Sequence, residues 1–342
     1  MAGNFSHSKL STYRICSRKH YFSSIANYGK KNVLKRKAFE LKNMQNLQMW
    51  QGSVVDLAME KLIIPLIKEK KELKFEEIIS SAIDIAKSKY EFSKSKLYRQ
   101  NSKSGTGDEY CILDIHELDK HYSESDILNV YDGIRKSILN ISQIQMPDRN
   151  ESLLTFLRKA KQLLPNVNNW RVEVEEVGVM PQIDLIAYDE NFKPIVIDWK
   201  VSESFTSDYS KQLEICGLTV YLKRIETQGE SEKYNFSDIK LYEVNLWQSK
   251  VKKHDFSEEI FYRTYDKIHL SIVDMELLEA SKEELKFTMM DDSVIDLNVA
   301  SYDTTDIEGS CKFCNYKSLC QFLIRKNSKY NEKEYLEFIQ NN

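Results

Sequence analysis

The sequence predicts a mixed α/β protein in which helical regions lie on both sides of a short run of strands. Over residues 5–100, and again over 124–164, apolar residues recur at helical spacing within segments rich in Lys and Glu. From Asn169 onward the pattern changes to an alternation of apolar and polar residues, which is typical of strands. Only 10 Gly and 5 Pro occur among the 342 residues, which argues against a loop-rich, all-β fold.

The N-terminal helical region has a predicted start and one polar interruption. We expect Ser6 or Ser8 to cap the first helix, because a hydroxyl there accepts a hydrogen bond from an otherwise unpaired backbone N–H. Residues 98–125 are the most polar and Gly- and Ser-rich part of the chain, so we expect a surface loop or insertion there.

The strand region centres on a predicted β-hairpin. Alternation predicts one strand over 171–179, and two apolar runs follow at 181–188 and 193–201. The turn residues Asp-Glu-Asn-Phe separate these two runs, which predicts a hairpin. Beyond it the pattern predicts a helix over 207–224, a strand over 240–247 and a long helix over 256–285.

Composition and charge favour a globular, cytoplasmic protein. Apolar residues make up 42% of the chain and charged residues 30%. The N-terminus lacks the apolar segment of a secretory signal, and no apolar run approaches the roughly 20 residues that a membrane span needs. The net charge of −3 does not exclude nucleic acid as a partner, because a basic channel can lie on an acidic protein.

A carboxylate–lysine motif lies in the second strand of the predicted hairpin. Period two places Asp198 and Lys200 on the same face, and an isolated pair of this kind is explained by a salt bridge. Asp184 changes this interpretation, because Asp184 and Asp198 are each seven residues from Asn191 and would face each other across the hairpin. Two carboxylates so close repel each other unless a cation lies between them, and oxygen ligands suit Mg²⁺ or Mn²⁺. Together with Lys200, they suit metal-assisted hydrolysis of a phosphodiester.

This motif, an aspartate followed after thirteen residues by Asp-x-Lys, resembles that of the PD-(D/E)XK nuclease superfamily. The resemblance implies a restriction-endonuclease-like core with a central mixed β-sheet flanked by helices. It also implies catalytic roles for Asp184, Asp198 and Lys200. The two aspartates would bind the metal ion together with the backbone carbonyl of Trp199.

Two further segments resemble the RecB-like branch of the superfamily. The segment QLEICGLTVYL is similar to its Gln-x-x-x-Tyr helix, with Gln212 matching and Cys216 in the tyrosine position. The segment GSVVD is similar to its Gly-x-x-x-His segment, with Gly52 matching and Asp56 in the histidine position. The resemblance implies that Gln212 faces the active site and that Asp56 is a third metal ligand, since aspartate also binds hard cations.

Six cysteines in a reducing compartment point to a metal site, to redox chemistry or to core packing. Cys311, Cys314 and Cys320 form a C-x2-C-x5-C motif, which needs a fourth ligand to complete a metal site. The best candidate is Cys16, which lies 295 residues before the motif.

The N-terminal segment with Ser8, Tyr13, Cys16 and Tyr21, followed by the late cysteine motif, resembles the iron–sulfur nucleases. These include the AddB nuclease domain and the CRISPR-associated iron–sulfur exonucleases. The resemblance implies a [4Fe–4S] cluster bound by four thiolates, with structural Zn²⁺ as the alternative. The implied ligands are Cys16, Cys311, Cys314 and Cys320. Cys111 and Cys216 match no ligand position, and we expect them to pack in the core.

These features predict a single nuclease domain over residues 1–342. Within it, 1–165 is mainly helical, 166–250 is the catalytic α/β core, and 251–342 carries a C-terminal helix and the cysteine segment that closes onto Cys16. The predicted function is that of a metal-dependent DNA nuclease, an exonuclease acting on DNA ends or single strands. The alternative is a catalytically weak module of the same fold that binds DNA. In either role, a helicase or another DNA-processing or defence protein is a candidate partner.

Overall fold

The structure is a computed structural model that describes residues 5–25, 33–203, 208–228, 234–280, 295–296, 302–325, 329–330, 333–334 and 337. Its backbone divides into two compact units. The core unit is Gln45–Ile268, and the terminal unit combines Asn4–Met44 with His269–Asn342. No helix within the described ranges is long and apolar enough to cross a membrane.

Helices make up most of the described chain, and the strands are concentrated in its middle. In the described residues the α-helices are α1 (His7–Ile15), α2 (Ser17–His20), α3 (Val33–Asn43), α4 (Leu47–Ala58), α5 (Ile64–Lys68), α6 (Phe75–Lys94), α7 (Lys103–Thr106), α8 (Asp114–Glu117), α9 (Glu124–Asn140), α10 (Leu153–Lys159), α11 (Ser210–Gln228), α12 (Glu258–Ala280) and α13 (Lys317–Arg325). The strands are β1 (Met44–Gln45), β2 (Ile112–Leu113), β3 (Gln162–Val167), β4 (Val172–Val174), β5 (Val177–Val179), β6 (Ile183–Tyr188), β7 (Pro194–Lys200), β8 (Lys240–Asn245), β9 (Lys250–His254), β10 (Ile295–Asp296) and β11 (Lys329–Tyr330).

A mixed sheet forms the centre of the core unit. In the part of the chain that the structure describes, its strand order is β3-β6-β7-β8-β9. β7 and β8 run parallel, and the other neighbouring pairs are antiparallel. β7 is buried from Pro194 to Trp199, so both of its faces are covered. The predicted fold class, a central mixed sheet flanked by helices, is therefore confirmed.

Helices α4, α6 and α9 pack on one another and form, with one face of the sheet, the apolar core of this unit. Trp50 of α4 is fully buried in that core. The start of α9 is fixed by a capping box, in which the Ser123 hydroxyl accepts from the Asp126 amide and the Asp126 carboxylate accepts from the Ser123 amide. In the terminal unit, Ser6 caps α1 by accepting a hydrogen bond from the Lys9 amide. Ser6 was one of the two predicted caps.

The predicted hairpin is confirmed, with β6 and β7 paired antiparallel around a turn that contains Asn191. The strand predicted over 171–179 is instead a small hairpin of β4 and β5. Glu175 and Glu176 form its turn with φ of 47° and 67°, a conformation that alternation alone does not reveal. Helix was predicted as far as residue 164, but the chain enters β3 at Gln162 because this segment pairs with β6.

The segment 98–125, predicted as a surface loop or insertion, is exposed only in part. Residues 100–105 and 107–109 are exposed, whereas 110–113 are buried and include strand β2. The apolar run Tyr-Cys-Ile-Leu packs against α6, which the polar composition of the surrounding residues concealed. The long helix predicted over 256–285 is confirmed as α12 up to Ala280, and 281–285 lie outside the described residues.

Contacts within the terminal unit join its N-terminal and C-terminal segments. The carbonyl oxygen of Asp303 accepts hydrogen bonds from the Arg18 amide at 3.1 Å and from the Ser17 hydroxyl at 3.0 Å. The ring of Tyr21 packs against the ring of Tyr302 with centroids 4.4 Å apart. These contacts place the segment that contains Cys16 next to the segment that leads into the cysteine motif.

The close approach of α11 to the sheet can be tested at Gly217. A Cβ at this position would lie 2.8 Å from ring atoms of Phe256, so the Gly217→Ala substitution should lower the free energy of unfolding by about 1–3 kcal/mol. Gly52→Ala is the matched control, because a Cβ at Gly52 has nothing within 4 Å and alanine favours a helix by about 0.5–1 kcal/mol. Urea denaturation of both variants measures the difference, and equal stabilities would contradict the packing.

Candidate active site

Two aspartates and a lysine lie together on one face of strands β6 and β7. The hairpin pairs Leu185 with Ile197, and the same register continued by one residue places Asp184 opposite Asp198. Leu185 and Ile197 pack in the helical core, so the alternate positions Asp184, Asp198 and Lys200 point to the opposite face, on which α11 packs. The sequence spacing therefore predicts this arrangement correctly.

Each of the two aspartates accepts a hydrogen bond from a neighbouring donor. The backbone amide of Trp199 donates to Asp184 Oδ2 at 2.8 Å. The side-chain amide of Gln212, in the first turn of α11, donates to Asp198 Oδ1 at 2.9 Å. The structure therefore brings Gln212 to the carboxylates, at the position that the resemblance implies.

The ammonium group of Lys200 lies 2.5 Å from Asp198 Oδ2. In the described residues no hydrogen bond of normal geometry reaches this oxygen, so the Lys200 charge is its partner. The same ammonium lies 4.2 Å from the ring centroid of Tyr209, in a cation–π contact. Burial lowers the pKa of Lys200, but the charges of Asp198 and Asp184 outweigh burial and raise it overall. Lys200 therefore remains protonated at neutral pH.

The third predicted metal ligand, Asp56 of α4, lies in a cleft that also contains Asp184 and Trp199. The cleft has a volume of about 330 Å³ and lies wholly within the core unit. Its remaining polar and charged lining residues come from α4, α6, β3 and the loops beside them. They are Gln45, Ser53, Glu60, Lys89, Lys103, Asp108, Tyr110, Asn166 and Gln182.

The pKa values of the three carboxyl groups are raised in the absence of a cation. Burial, reinforced by the charges of Asp198 and Asp56, raises the pKa of Asp184 to about 8. Burial also raises the pKa of Asp56 to about 7, with Lys200 opposing the shift and Asp198 adding to it. The pKa of Asp198 is raised by burial, although Lys200 and His254 oppose the shift. Carboxyl groups arranged in this way favour a bound cation, which would replace the protons.

Sequence reasoning missed a buried glutamate–histidine contact that lies beside the carboxylates. Glu243 of β8 is paired in register with Asp198 and is only 1% exposed. Its carboxylate lies 3.2 Å from His254 Nε2, and His254 belongs to β9, a strand that was not predicted. Glu243 interrupts an apolar strand, which is the signal that could have identified it as a functional neighbour.

Cys216 lies under the same site rather than in a separate part of the core. It is fully enclosed, and burial followed by the charges of Asp198 and Asp184 raises the pKa of its thiol well above the usual value. Cys216 is therefore a neutral packing residue next to the carboxylates. This result agrees with its predicted packing role.

Within the terminal unit, the four cysteines predicted as cluster ligands lie near one another. Burial raises the pKa of the Cys314 thiol, and the charges of Cys16 and Cys320 add to the shift. Burial likewise raises the pKa of Cys320, with contributions from Cys16 and Cys311. Cys111, in contrast, is buried in the core unit, where burial raises its pKa to about 11.

Several donors of the N-terminal segment are directed at the sulfur atoms of these cysteines. Arg18 Nη1 lies 3.8 Å from Cys320 Sγ, and the Lys19 amide donates to Cys16 Sγ at 3.4 Å. Positive charge and N–H donors beside sulfur stabilise thiolates, which are the metal-binding form of cysteine. The neighbouring aromatic residues Tyr21 and Phe22 are buried, so they pack in the terminal unit and are not available to stack on bases.

Across the described residues, no group of three or more His, Cys, Asp or Glu side chains is arranged closely enough to hold a metal ion. Binding of an ion would therefore require the side chains of either set to move closer together. The chemistry of both donor sets fits a metal nevertheless. The carboxylates with raised pKa suit a hard divalent cation, and the four thiols suit zinc or an iron–sulfur cluster.

A family model described as the PD-(D/E)XK nuclease superfamily matches residues 4–321. The chain belongs to the PD-(D/E)XK nuclease superfamily. The superfamily consists in general of phosphodiesterases that use Mg²⁺ or Mn²⁺, and the fold and the Asp184, Asp198 and Lys200 arrangement agree with it. A comparison with curated proteins found no match.

The raised carboxyl pKa values of this PD-(D/E)XK protein predict how its stability depends on pH. Between the ordinary value of 3.8 and the folded value of about 8, the folded protein keeps a proton on Asp184 that the unfolded chain has released. Without metal, this group therefore makes the free energy of unfolding fall as the pH rises from about 4 to 8. Each pKa unit between the two states corresponds to about 1.4 kcal/mol.

The Asp184→Asn variant should lose this contribution. Its unfolding free energy in EDTA should fall less steeply between pH 5 and pH 8 than that of the wild type, and at pH 8 it should be the more stable protein by about 1 kcal/mol or more. Urea denaturation at several pH values measures both quantities. The same pH dependence in wild type and variant would contradict the raised pKa of Asp184.

Proposed function

We propose that this protein is a metal-dependent deoxyribonuclease that hydrolyses phosphodiester bonds, acting as an exonuclease on DNA ends or single strands. The observation that carries the proposal is the arrangement of Asp184, Asp198 and Lys200 on one sheet face, with Gln212 bound to Asp198. Enclosing this charged set is costly, and a bound cation would offset the repulsion that helps to raise the pKa of Asp184. Membership of the superfamily supports the reaction class.

In this proposal Asp56, Asp184, Asp198 and the backbone carbonyl of Trp199 hold Mg²⁺ or Mn²⁺. Such an ion, when bound, neutralises phosphate charge and lowers the pKa of a coordinated water. The donor set consists of oxygen atoms alone, which is the preference of these two ions. The cleft beside Asp184 and Asp56 provides the space for the substrate phosphate.

The remaining residues orient the site and stabilise charge. Lys200 stays protonated because of its contact with Asp198, so it acts as an electrostatic stabiliser of the negative charge that develops on the phosphate, not as a base. The Tyr209 ring restricts the position of its ammonium. Gln212 fixes the Asp198 carboxylate, and the Trp199 amide fixes that of Asp184. Both carboxylates are thereby oriented before the substrate binds.

A second candidate function is a nuclease-fold module that binds DNA or a helicase partner with little catalysis. The residues that favour it are Asp56 and Cys216, which replace the histidine and tyrosine of the family segments. The close pair Asp184 and Asp198 weighs against it, because a protein without catalysis gains nothing from holding a second carboxylate where the charge of Asp198 raises its pKa. In either case DNA is the proposed partner, and a helicase or another DNA-processing or defence protein is a further one.

We also propose that the terminal unit holds a structural [4Fe–4S] cluster, with Zn²⁺ as the alternative. The proposed ligands are Cys16, Cys311, Cys314 and Cys320, whose thiols influence one another's pKa values within this unit. The Arg18 guanidinium and the Lys19 amide beside the sulfur atoms support the thiolate form. We further propose that both units belong to a single nuclease domain. We also propose that the protein is cytoplasmic.

The nuclease proposal predicts cleavage of end-labelled single-stranded DNA by the wild type with Mn²⁺ or Mg²⁺ and none with EDTA. Lys200→Met should lower kcat by a factor of about 100 or more, because it removes a charge that stabilises the transition state. DNA affinity should change far less, which separates catalysis from binding. Asp132→Asn on the exposed surface of α9 is the control and should cleave like the wild type. Binding without metal-dependent cleavage by the wild type would instead favour the second candidate function.

The cluster proposal predicts about four iron and four sulfide per chain after anaerobic purification, with broad absorbance near 400 nm. Cys314→Ala should lose the iron and the absorbance, whereas Cys111→Ala should keep both, because Cys111 is a buried residue of the core unit. Metal analysis by inductively coupled plasma mass spectrometry measures the content. One zinc per chain without iron would identify the alternative, and no bound metal would contradict both.

A further inference from the structure

A buried lysine lines the same cleft as the carboxylates. Lys89 lies on α6 and is only 7% exposed, and it contributes to the cleft that also contains Asp56, Asp184 and Trp199. Neither the superfamily motif nor the predicted constellation includes it. Its ammonium therefore requires a separate explanation.

Lys89 has no ion pair or hydrogen bond to another residue in the described part of the chain. The charges of Asp108 and Glu109 act on Lys89 from a distance, while Glu109 accepts from the Ser88 hydroxyl and Asp108 lies 3.9 Å from Lys61. Cys111 is also close, but burial raises the pKa of its thiol to about 11, so it supplies no negative charge at neutral pH. In the part of the chain that the structure describes, Lys89 is thus mostly buried with no carboxylate at ion-pair distance from its ammonium group.

An unpaired buried ammonium is unfavourable, and burial accordingly lowers the pKa of Lys89. A ligand that brings an anion into the cleft would remove this cost. The exposed Lys103 lines the same cleft and adds positive charge to it. The cleft volume of about 330 Å³ lies within the range of small-ligand sites and is large enough for one nucleotide-sized group.

The arrangement of charge along the cleft indicates which anion fits. The cleft is lined both by the carboxylates that would bind a metal ion and by the positive charge of Lys89 on α6. A nucleic-acid strand carries a phosphate at every nucleotide, so one phosphate can reach the carboxylate end while another reaches the lysine. Amide side chains of Gln45, Asn166 and Gln182 line the same cleft and offer hydrogen bonds without adding charge.

We propose that Lys89 binds a second, non-scissile phosphate of the nucleic-acid strand and thereby positions the strand relative to Asp184 and Asp198. This inference rests on the proposed nuclease function and adds a substrate-positioning residue to it. Its recognition chemistry is a phosphate group, which is either a terminal phosphomonoester or a phosphodiester within the strand.

The test uses the full-length protein and its Lys89→Met variant, which removes the charge and keeps an apolar stem of similar volume. Affinity is measured by fluorescence anisotropy with Ca²⁺ in place of the catalytic metal, on an internally labelled single-stranded oligonucleotide. The variant should bind about tenfold or more weakly, and the salt dependence of log Kd should lose about 0.7–1 in slope. Lys87→Met, an exposed position on the same helix that does not line the cleft, should bind like the wild type.

Three versions of the oligonucleotide, with a 5′-phosphate, a 3′-phosphate or hydroxyl groups at both ends, distinguish the two sources of phosphate. A loss confined to one phosphorylated end identifies a terminal phosphate, and an equal loss on all three identifies an internal phosphodiester. Both results support the inference. Affinity and salt slope equal to those of the wild type would overturn it.

Two further measurements separate a phosphate contact from a packing role of the Lys89 side chain. Removal of an unpaired buried charge should leave the melting temperature unchanged or raise it, and Lys89→Arg should retain the salt slope. Loss of affinity in Lys89→Arg equal to that in Lys89→Met would indicate packing and would also overturn the inference.

Cleavage with Mn²⁺, assayed in parallel, tests the proposed function by itself. Cleavage with an affinity that does not depend on Lys89 contradicts only the role of Lys89. Phosphate binding that depends on Lys89 without cleavage contradicts only the nuclease.

Discussion

The site depends on the repulsion between two carboxylates held on adjacent strands, of which Asp198 is buried and Asp184 half-buried. Asp184 and Asp198 lie opposite each other because the β6–β7 hairpin fixes their register, and neither can move away without breaking that pairing. Burial, followed by the charge of Asp198, raises the pKa of Asp184 to about 8. Without metal, Asp184 therefore keeps its proton at neutral pH. A rigid sheet is needed for this arrangement, since a flexible loop would relax the repulsion by separating the charges.

Side chains from the neighbouring elements offset the repulsion between the carboxylates and orient Asp198. α11 brings the Gln212 amide to Asp198, and β7 itself supplies Lys200 two residues later on the same face. The parallel strand β8 adds Glu243, which is paired in register with Asp198 and contacts His254 of β9. α11 packs on β7 and β8, and Gly217 leaves room for the Phe256 ring beside this helix. The mixed sheet is thus what makes the chemistry of the site possible.

The sequence allowed the hairpin and its two aspartates to be predicted, because strand periodicity and the symmetric spacing about Asn191 depend only on local geometry. It did not reveal Tyr209, Glu243 or Lys89, whose contacts depend on how the helices and strands pack in three dimensions. β9 was missed because its Lys-Val-Lys-Lys-His sequence is largely exposed and forms a strand only through pairing with β8. The turn at Glu175 and Glu176 was missed because glutamate rarely adopts positive φ.

The raised pKa values of Asp184 and Asp56 predict that a divalent cation displaces protons from these carboxyl groups, and calorimetry tests this exchange directly. Isothermal titration calorimetry of Mn²⁺ binding at pH 7, repeated in buffers with different ionisation enthalpies, measures the number of protons released. With the pKa of Asp184 at about 8 and that of Asp56 at about 7, the wild type should release about one proton or more per Mn²⁺, and this number should approach zero at pH 9. Binding without proton release at pH 7, or with the same release at pH 9, would contradict the exchange.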